Sequence, residues 1–246
     1  MPLLANARSL PYFIAHGGAD QLVPVTGVLE QVADLDALGL RHRFELYPSL
    51  DHLAWATADL FASPAAHMGS AKRTRDPGRI TYSWFPHLTR PALGIGPTGA
   101  YWVRGLRARD AAPGRIASID VSSAARPEPA ITPVRTSGPV LTPDTPPVPG
   151  TFSELNWQLG ARPAAQRRIT ARLVDVAALS LTLGRAGITP GQTATISVQT
   201  DGATTLGLTG LAAGQPVRVG TRTIDASASG TASVPLPSGA STVTLG

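Results

Sequence analysis

The chain has 246 residues, enough for one large domain or two small ones; with 43% hydrophobic and only 15% charged residues it is not a highly charged disordered polymer. The net charge of +5 rests on arginine, but Arg73, Arg75, Arg79, Arg90, Arg104, Arg107, Arg109 and Arg115 are scattered and no aromatic-rich RNA-binding signature accompanies them, so nucleic acid is not an expected partner. The absence of cysteine excludes a disulfide framework and thiolate metal sites, and no apolar run approaches the length of a membrane span.

Residues 1–66 read as alternating strand and helix. Tyr12-Phe13-Ile14-Ala15, ended by Gly17-Gly18, suits a buried strand. Val25, Val28, Leu29, Val32, Leu35 and Leu38 recur at helical spacing, and Gly39 fits a C-cap. Phe44 and Leu46 alternate with Arg43 and Glu45 in a second strand that ends at Pro48. Asp51 can cap a further helix from about His52 to Phe61, with Pro64 past its end. Strand, helix, strand, helix with short links implies two parallel strands joined by a crossover.

Residues 67–126 read as a β-rich extension, with strands at 80–84, 100–103 and 114–119. Residues 127–167 begin with a Pro/Thr/Ser/Gly tract (Pro127 to Pro149) that reads as a linker or irregular segment. From 168 to 246 alternation dominates, as in Leu179-Leu181-Leu183, Ile196-Val198, Leu206-Leu208, Val234-Leu236 and Val243-Leu245. Turn signals such as Pro190-Gly191 and Asp201-Gly202 separate these runs. The pattern predicts a C-terminal antiparallel, Ig-like β-sandwich. The expected fold class is therefore an α/β fragment followed by mainly β structure.

The residues that carry chemistry are His16-Gly-Gly-Ala-Asp20-Gln-Leu-Val-Pro24 and Tyr47-Pro-Ser-Leu-Asp51-His52. Asp20 and His52 each follow the end of a predicted strand, where reactive groups gather in open parallel sheets. There a carboxylate can hold an imidazole in the tautomer that leaves its other nitrogen free to accept a proton. Each residue also has a plain structural reading. An Asp after Gly-Gly is a common turn residue, and an Asp-His pair before a helix is a common cap. Their order, with one helix and one strand between them, favours the chemical reading. His16 is expected to shape the loop, and His42, His67 and His87 show no ligand spacing, so no metal or other cofactor is expected.

Over residues 10–62 these motifs resemble the C-terminal part of an α/β-hydrolase, of the prolyl-oligopeptidase-like or secreted esterase type. In that family an "HG-x-x-D-x-x-V-P" loop presents the triad acid and "Y-P-x-x-x-H" the triad base. The matching positions are Asp20 and His52. The downstream segments resemble, with less specific motifs, the trailing region of actinobacterial secreted hydrolases. The resemblance implies acyl transfer to water on an ester or peptide substrate, and an extracellular parent protein. Met1–Leu10 lacks a charged n-region followed by an apolar core, so no signal peptide is expected in this chain.

The family orders its triad Ser, Asp, His, with the serine in a G-x-S-x-G elbow. Only Ser9 precedes Asp20, between Arg8 and Leu10, and no serine in the sequence lies in such an elbow. The expectation is a fragment that carries acid and base without the nucleophile and is inactive alone. The missing nucleophile half is then a partner. The rival expectation is a non-catalytic β-rich module for a polymer or cell-surface partner, with Tyr82, Trp84, Tyr101 and Trp102 as contact candidates or, more simply, as core.

Overall fold

The computed structural model describes residues 3–53, 61–69, 72–144 and 146–246. In chain order its strands begin with β1 (Tyr12–Gly17), β2 (His42–Tyr47), β3 (Arg79–Trp84), β4 (Gly99–Ala100), β5 (Val103–Ala108) and β6 (Ala117–Ser123). They continue with β7 (Ile131–Leu141), β8 (Pro149–Leu159), β9 (Arg168–Val174), β10 (Val176–Thr182) and β11 (Ala194–Thr200). The last are β12 (Thr204–Thr209), β13 (Pro216–Val219), β14 (Arg222–Asp225), β15 (Thr231–Leu236) and β16 (Gly239–Leu245). Two α-helices are described, α1 (Val25–Ala37) and α2 (Ala62–Gly69). Strand accounts for 45% and helix for 14%, which overturns the α/β expectation: the molecule is mainly β, with mixed sheets.

The chain forms two compact units. Leu3–Arg73 joins Ala130–Ala161 in the first, and Thr74–Pro129 joins Arg162–Gly246 in the second. The first unit holds a four-stranded sheet in the order β1-β2-β8-β7. β1 and β2 are parallel, from Tyr12 opposite His42 to Gly17 opposite Tyr47, and α1 lies between them in sequence. α1 turns Val32 and Leu35 inward and ends at Gly39, whose φ of +63° is the left-handed cap. Leu35 joins Leu4, Ala7 and Leu40 in a small core against Tyr12 and Ile14.

The expected linker is instead a long hairpin. β7 and β8, 11 residues each, pair from Ile131 opposite Leu159 to Leu141 opposite Pro149, and β8 runs antiparallel along β2. Its prolines are compatible with this because β7 is an edge strand. Pro133 and Pro139 are an even number of residues apart and direct their missing donors to the same, outer side. Its glycines make room for rings: Phe152 lies over Gly138, and Tyr47 over Gly150. Leu155 is buried opposite His42, and the Trp157 indole donates to the Gly39 carbonyl oxygen at 2.8 Å beneath the Arg41 guanidinium. The predicted helix from His52 falls largely on 54–60, outside the described residues. Pro64 lies in the first turn of α2, where it displaces no helical hydrogen bond, instead of marking a helix end.

The second unit is a sandwich of two sheets, in the orders β15-β12-β10-β5-β4 and β14-β13-β16-β11-β9-β6-β3. One core joins them, with Ile80, Ile119, Ile169, Ile196 and Val243 from one sheet and Val103, Leu179, Leu181, Leu206 and Val234 from the other. The expectation of an antiparallel 168–246 domain is corrected in two respects. Residues 74–129 supply strands to both sheets, and the pairs β10–β12 and β9–β11 are parallel. The expected strand at 100–103 is a tight hairpin, with Tyr101 at φ +54° between β4 and β5.

Candidate functional site

β1 and β2 end side by side, so the loops that follow them, 17–24 and 47–53, emerge together. Backbone bonds lace the two: Gly18 N–H to the Tyr47 oxygen at 2.9 Å and Ala19 N–H to the Leu50 oxygen at 3.0 Å. Neither Gly17 nor Gly18 has a positive φ. Glycine is required there by space. A Cβ on Gly17 would strike the Leu50 carbonyl, and one on Gly18 would lie 2.8 Å from the Pro48 Cα. The crossing of the second loop over the first is what brings Asp51-His52 above Asp20.

Asp20 is held from three directions. Its Oδ1 accepts the Leu22 and Val23 amides at 2.9 and 2.8 Å, an Asx-type turn. Its Oδ2 lies 3.0 Å from His52 Nδ1. Burial pushes the Asp20 carboxyl up, but the Val23 amide, His52 and the Leu22 amide together outweigh it and hold it below its usual range. With Nδ1–H donating to the carboxylate, His52 Nε2 is left as an acceptor. The His52 side chain is 42% exposed, whereas that of Asp20 is 5% exposed. The pair thus has a sheltered acid and an accessible base.

His16, the buried penultimate residue of β1, bonds through Nε2 to the Val23 carbonyl oxygen at 2.9 Å and closes the Asp20 loop on its strand. Ser9 ends a 3-10 helix ahead of β1, at the opposite end of that strand from the pair, roughly 20 Å away at ~3.3 Å per residue. His42 Nδ1 bonds to the Leu40 carbonyl oxygen within the core, and the rings of His67 and His87 lie against Phe13 and Phe85. Among the described residues no group of three or more His, Cys, Asp or Glu side chains is placed to hold a metal ion.

Two features escaped the sequence. Leu22, Val23 and Leu53, beside the acid and the base, are 71%, 46% and 65% exposed, so apolar side chains rim the pair. Their signal was present as the adjacent apolar pair Leu22-Val23 after Asp20-Gln21 in the loop. On the face of β2 that bears Arg43 and Tyr47, Glu45 is 1% exposed and accepts hydrogen bonds from Arg43, the Tyr47 hydroxyl and Ser63 at 2.8, 2.8 and 2.7 Å. Burial, and then the bond to Glu45, push the Tyr47 phenol well above its usual range. The network fastens α2 to β2 through Ser63. Trp84 and Trp102 are buried, and Tyr82 and Tyr101 pack against the same core, so this aromatic set offers no row of exposed rings.

Comparison with family models, with curated protein sequences and with solved structures gives no match to this chain.

Proposed function

We propose that Asp20 and His52 are the acid and base of a serine-type acyl-transfer hydrolase acting on ester or peptide bonds, the activity of the α/β-hydrolases that the two motifs resemble. The 3.0 Å contact between Asp20 Oδ2 and His52 Nδ1 carries this reading. The carboxylate fixes the imidazole tautomer and stabilises the imidazolium that forms when Nε2 takes the proton of an attacking hydroxyl. His52 then returns that proton to the leaving group, and the second half-reaction repeats the exchange with water. The nucleophile and the oxyanion donors would come from polypeptide other than residues 1–246. Without them the pair has no hydroxyl to activate and no developing charge to meet. The downstream resemblance to secreted hydrolases supports an extracellular location for the assembled protein.

The test joins the chain to the reading frame that precedes it and assays p-nitrophenyl esters and peptide anilides. The chain alone is expected to give background hydrolysis and no fluorophosphonate labelling. The joined protein is expected to be labelled on a serine of the added segment. Turnover should be lost in His52→Ala and fall roughly 10⁴-fold in Asp20→Asn. A joined protein without turnover, or one indifferent to both substitutions, overturns the reading.

A further inference from the structure

The second unit carries fifteen arginines against seven carboxylates, and the first only six basic residues against nine carboxylates. The excess positive charge of the molecule therefore belongs to the sandwich. Five of the seven carboxylates there are already paired with Arg79, Arg109, Arg115 or Arg185. Of the eleven other arginines, Arg168, Arg172 and Arg218 lie on strands of the seven-stranded sheet.

Inter-strand register places several of them in rows across the outward face of the seven-stranded sheet. One row runs Arg168–Thr195–Thr244–Arg218 across β9, β11, β16 and β13. The next runs Arg79–Ser122–Thr170–Ser197–Thr242, and a third sets Arg172 between Gln199 and Asp120, whose carboxylate is already bound by Arg79. Inward neighbours on these strands are the core residues Ile169, Leu173, Ile196 and Val243, so alternation fixes the polar set outward. Arg168, Thr170, Arg172, Arg218, Thr242 and Thr244 are exposed, and Arg168, Arg172 and Arg218 have no side-chain partner among the described residues. Arg168 and Arg172 stand ~13 Å apart along β9, and Arg168 and Arg218 ~14 Å apart across the sheet. At one edge of the face a cleft of about 310 Å³ opens between Arg79, Ser122, Arg168 and Thr170 and the chain at Pro163–Gln166, with Glu128, which accepts the Arg79 amide, also in its wall.

We propose that this face binds an acidic polysaccharide. Unpaired guanidiniums at regular intervals meet carboxylate, sulfate or phosphate substituents, to which a planar fork of donors is matched. The serine and threonine hydroxyls between them both donate and accept, as a sugar hydroxyl needs. Charge complementarity selects an anionic chain, and two features select a glycan over nucleic acid. No aromatic ring lies in these rows to stack on a base. A flat sheet face also presents neither a helix nor a projecting ribbon to enter a duplex groove. The proposal is independent of the Asp20–His52 reading.

Affinity electrophoresis of the full chain through gels containing polygalacturonate, neutral dextran or single-stranded DNA tests it. Retardation by polygalacturonate at low salt, weakened by added salt and absent with dextran, is expected. Arg168→Ser, Arg172→Ser and Arg218→Ser combined should weaken it at least tenfold. Arg75→Ser, Arg104→Ser and Arg107→Ser combined, an equal loss of charge away from this face, should leave it within twofold. Thermal melts of both variants verify that they fold. No retardation by polygalacturonate, equal loss in the two variants, or tighter binding to DNA each overturns the proposal.

Discussion

At the scale of single residues, Asp20 is defined by what it accepts: two amides on one oxygen and an imidazole on the other. A carboxyl held below its unfolded value stabilises the fold above that value, and the contribution fades as the pH falls through the folded pKa. The transition of the Leu22 and Val23 amide resonances that follows Asp20 protonation should therefore be shared by both amides and have its midpoint below 3.8, the ordinary aspartate value. A shared midpoint at or above that value would mean the turn is not held by an ionised Asp20. Gly17 is a second sensitive point. Gly17→Ala drives a methyl into the Leu50 carbonyl and should cost about 1–3 kcal/mol in denaturant unfolding. The same change should separate the two loops and weaken the His52 Nδ1–H bond to Asp20, visible as an upfield shift of that ring proton.

Among the elements, the hairpin β7–β8 determines whether β2 is an edge or an interior strand. Leu155 fills the core against His42, so Leu155→Ala should destabilise the first unit by about 2–5 kcal/mol, measured by denaturant titration. Amide exchange should find β8 protected to the same degree as β2, with proteolysis avoiding 149–159; early cleavage there would contradict the pairing. The hairpin was illegible in the sequence for identifiable reasons. Pro133 and Pro139 read as breakers until β7 is known to be an edge, and Pro149 until it is known to open β8. Gly138 and Gly150 read as flexible until Phe152 and Tyr47 are known to lie over them. By contrast α1 was visible in its own periodicity, and so was the alternation of β9 to β16. The contact between Asp20 and His52 was also legible, because each loop is shaped by its own glycines and turn residues at the end of a local strand. Glu45 was not, because its burial beside Tyr47 depends on Ser63 arriving from α2.

For the whole molecule, the two units are interleaved in sequence. The chain passes from the first to the second after Arg73, returns before Ala130 and leaves again after Ala161. In the second unit β6 lies beside β9, and β5 beside β10, so residues 168–246 cut from the chain lose a neighbour in each sheet. Expressed alone, that segment should show no cooperative thermal transition. A sharp transition would restore the autonomous domain that alternation alone suggests. Alternation records which residues face inward but not which strands adjoin, and for that reason the parallel pairs β9–β11 and β10–β12 and the contribution of 74–129 stayed hidden.

The pairing of β2 with β8 also sets a timetable for synthesis. Arg43 and its partner Glu154 are 111 positions apart. At ribosomal speeds of roughly 5–20 residues per second, β2 leaves the exit tunnel on the order of ten seconds before the strand that will cover its open side. Throughout that interval the nascent first unit has β1 and β2 and no hairpin, while strands of the second unit are already being made. The newborn chain must keep this open edge from unwanted pairing until translation has passed Leu159, so a pause anywhere between the codons for β3 and β8 prolongs its exposure to aggregation and to chaperones.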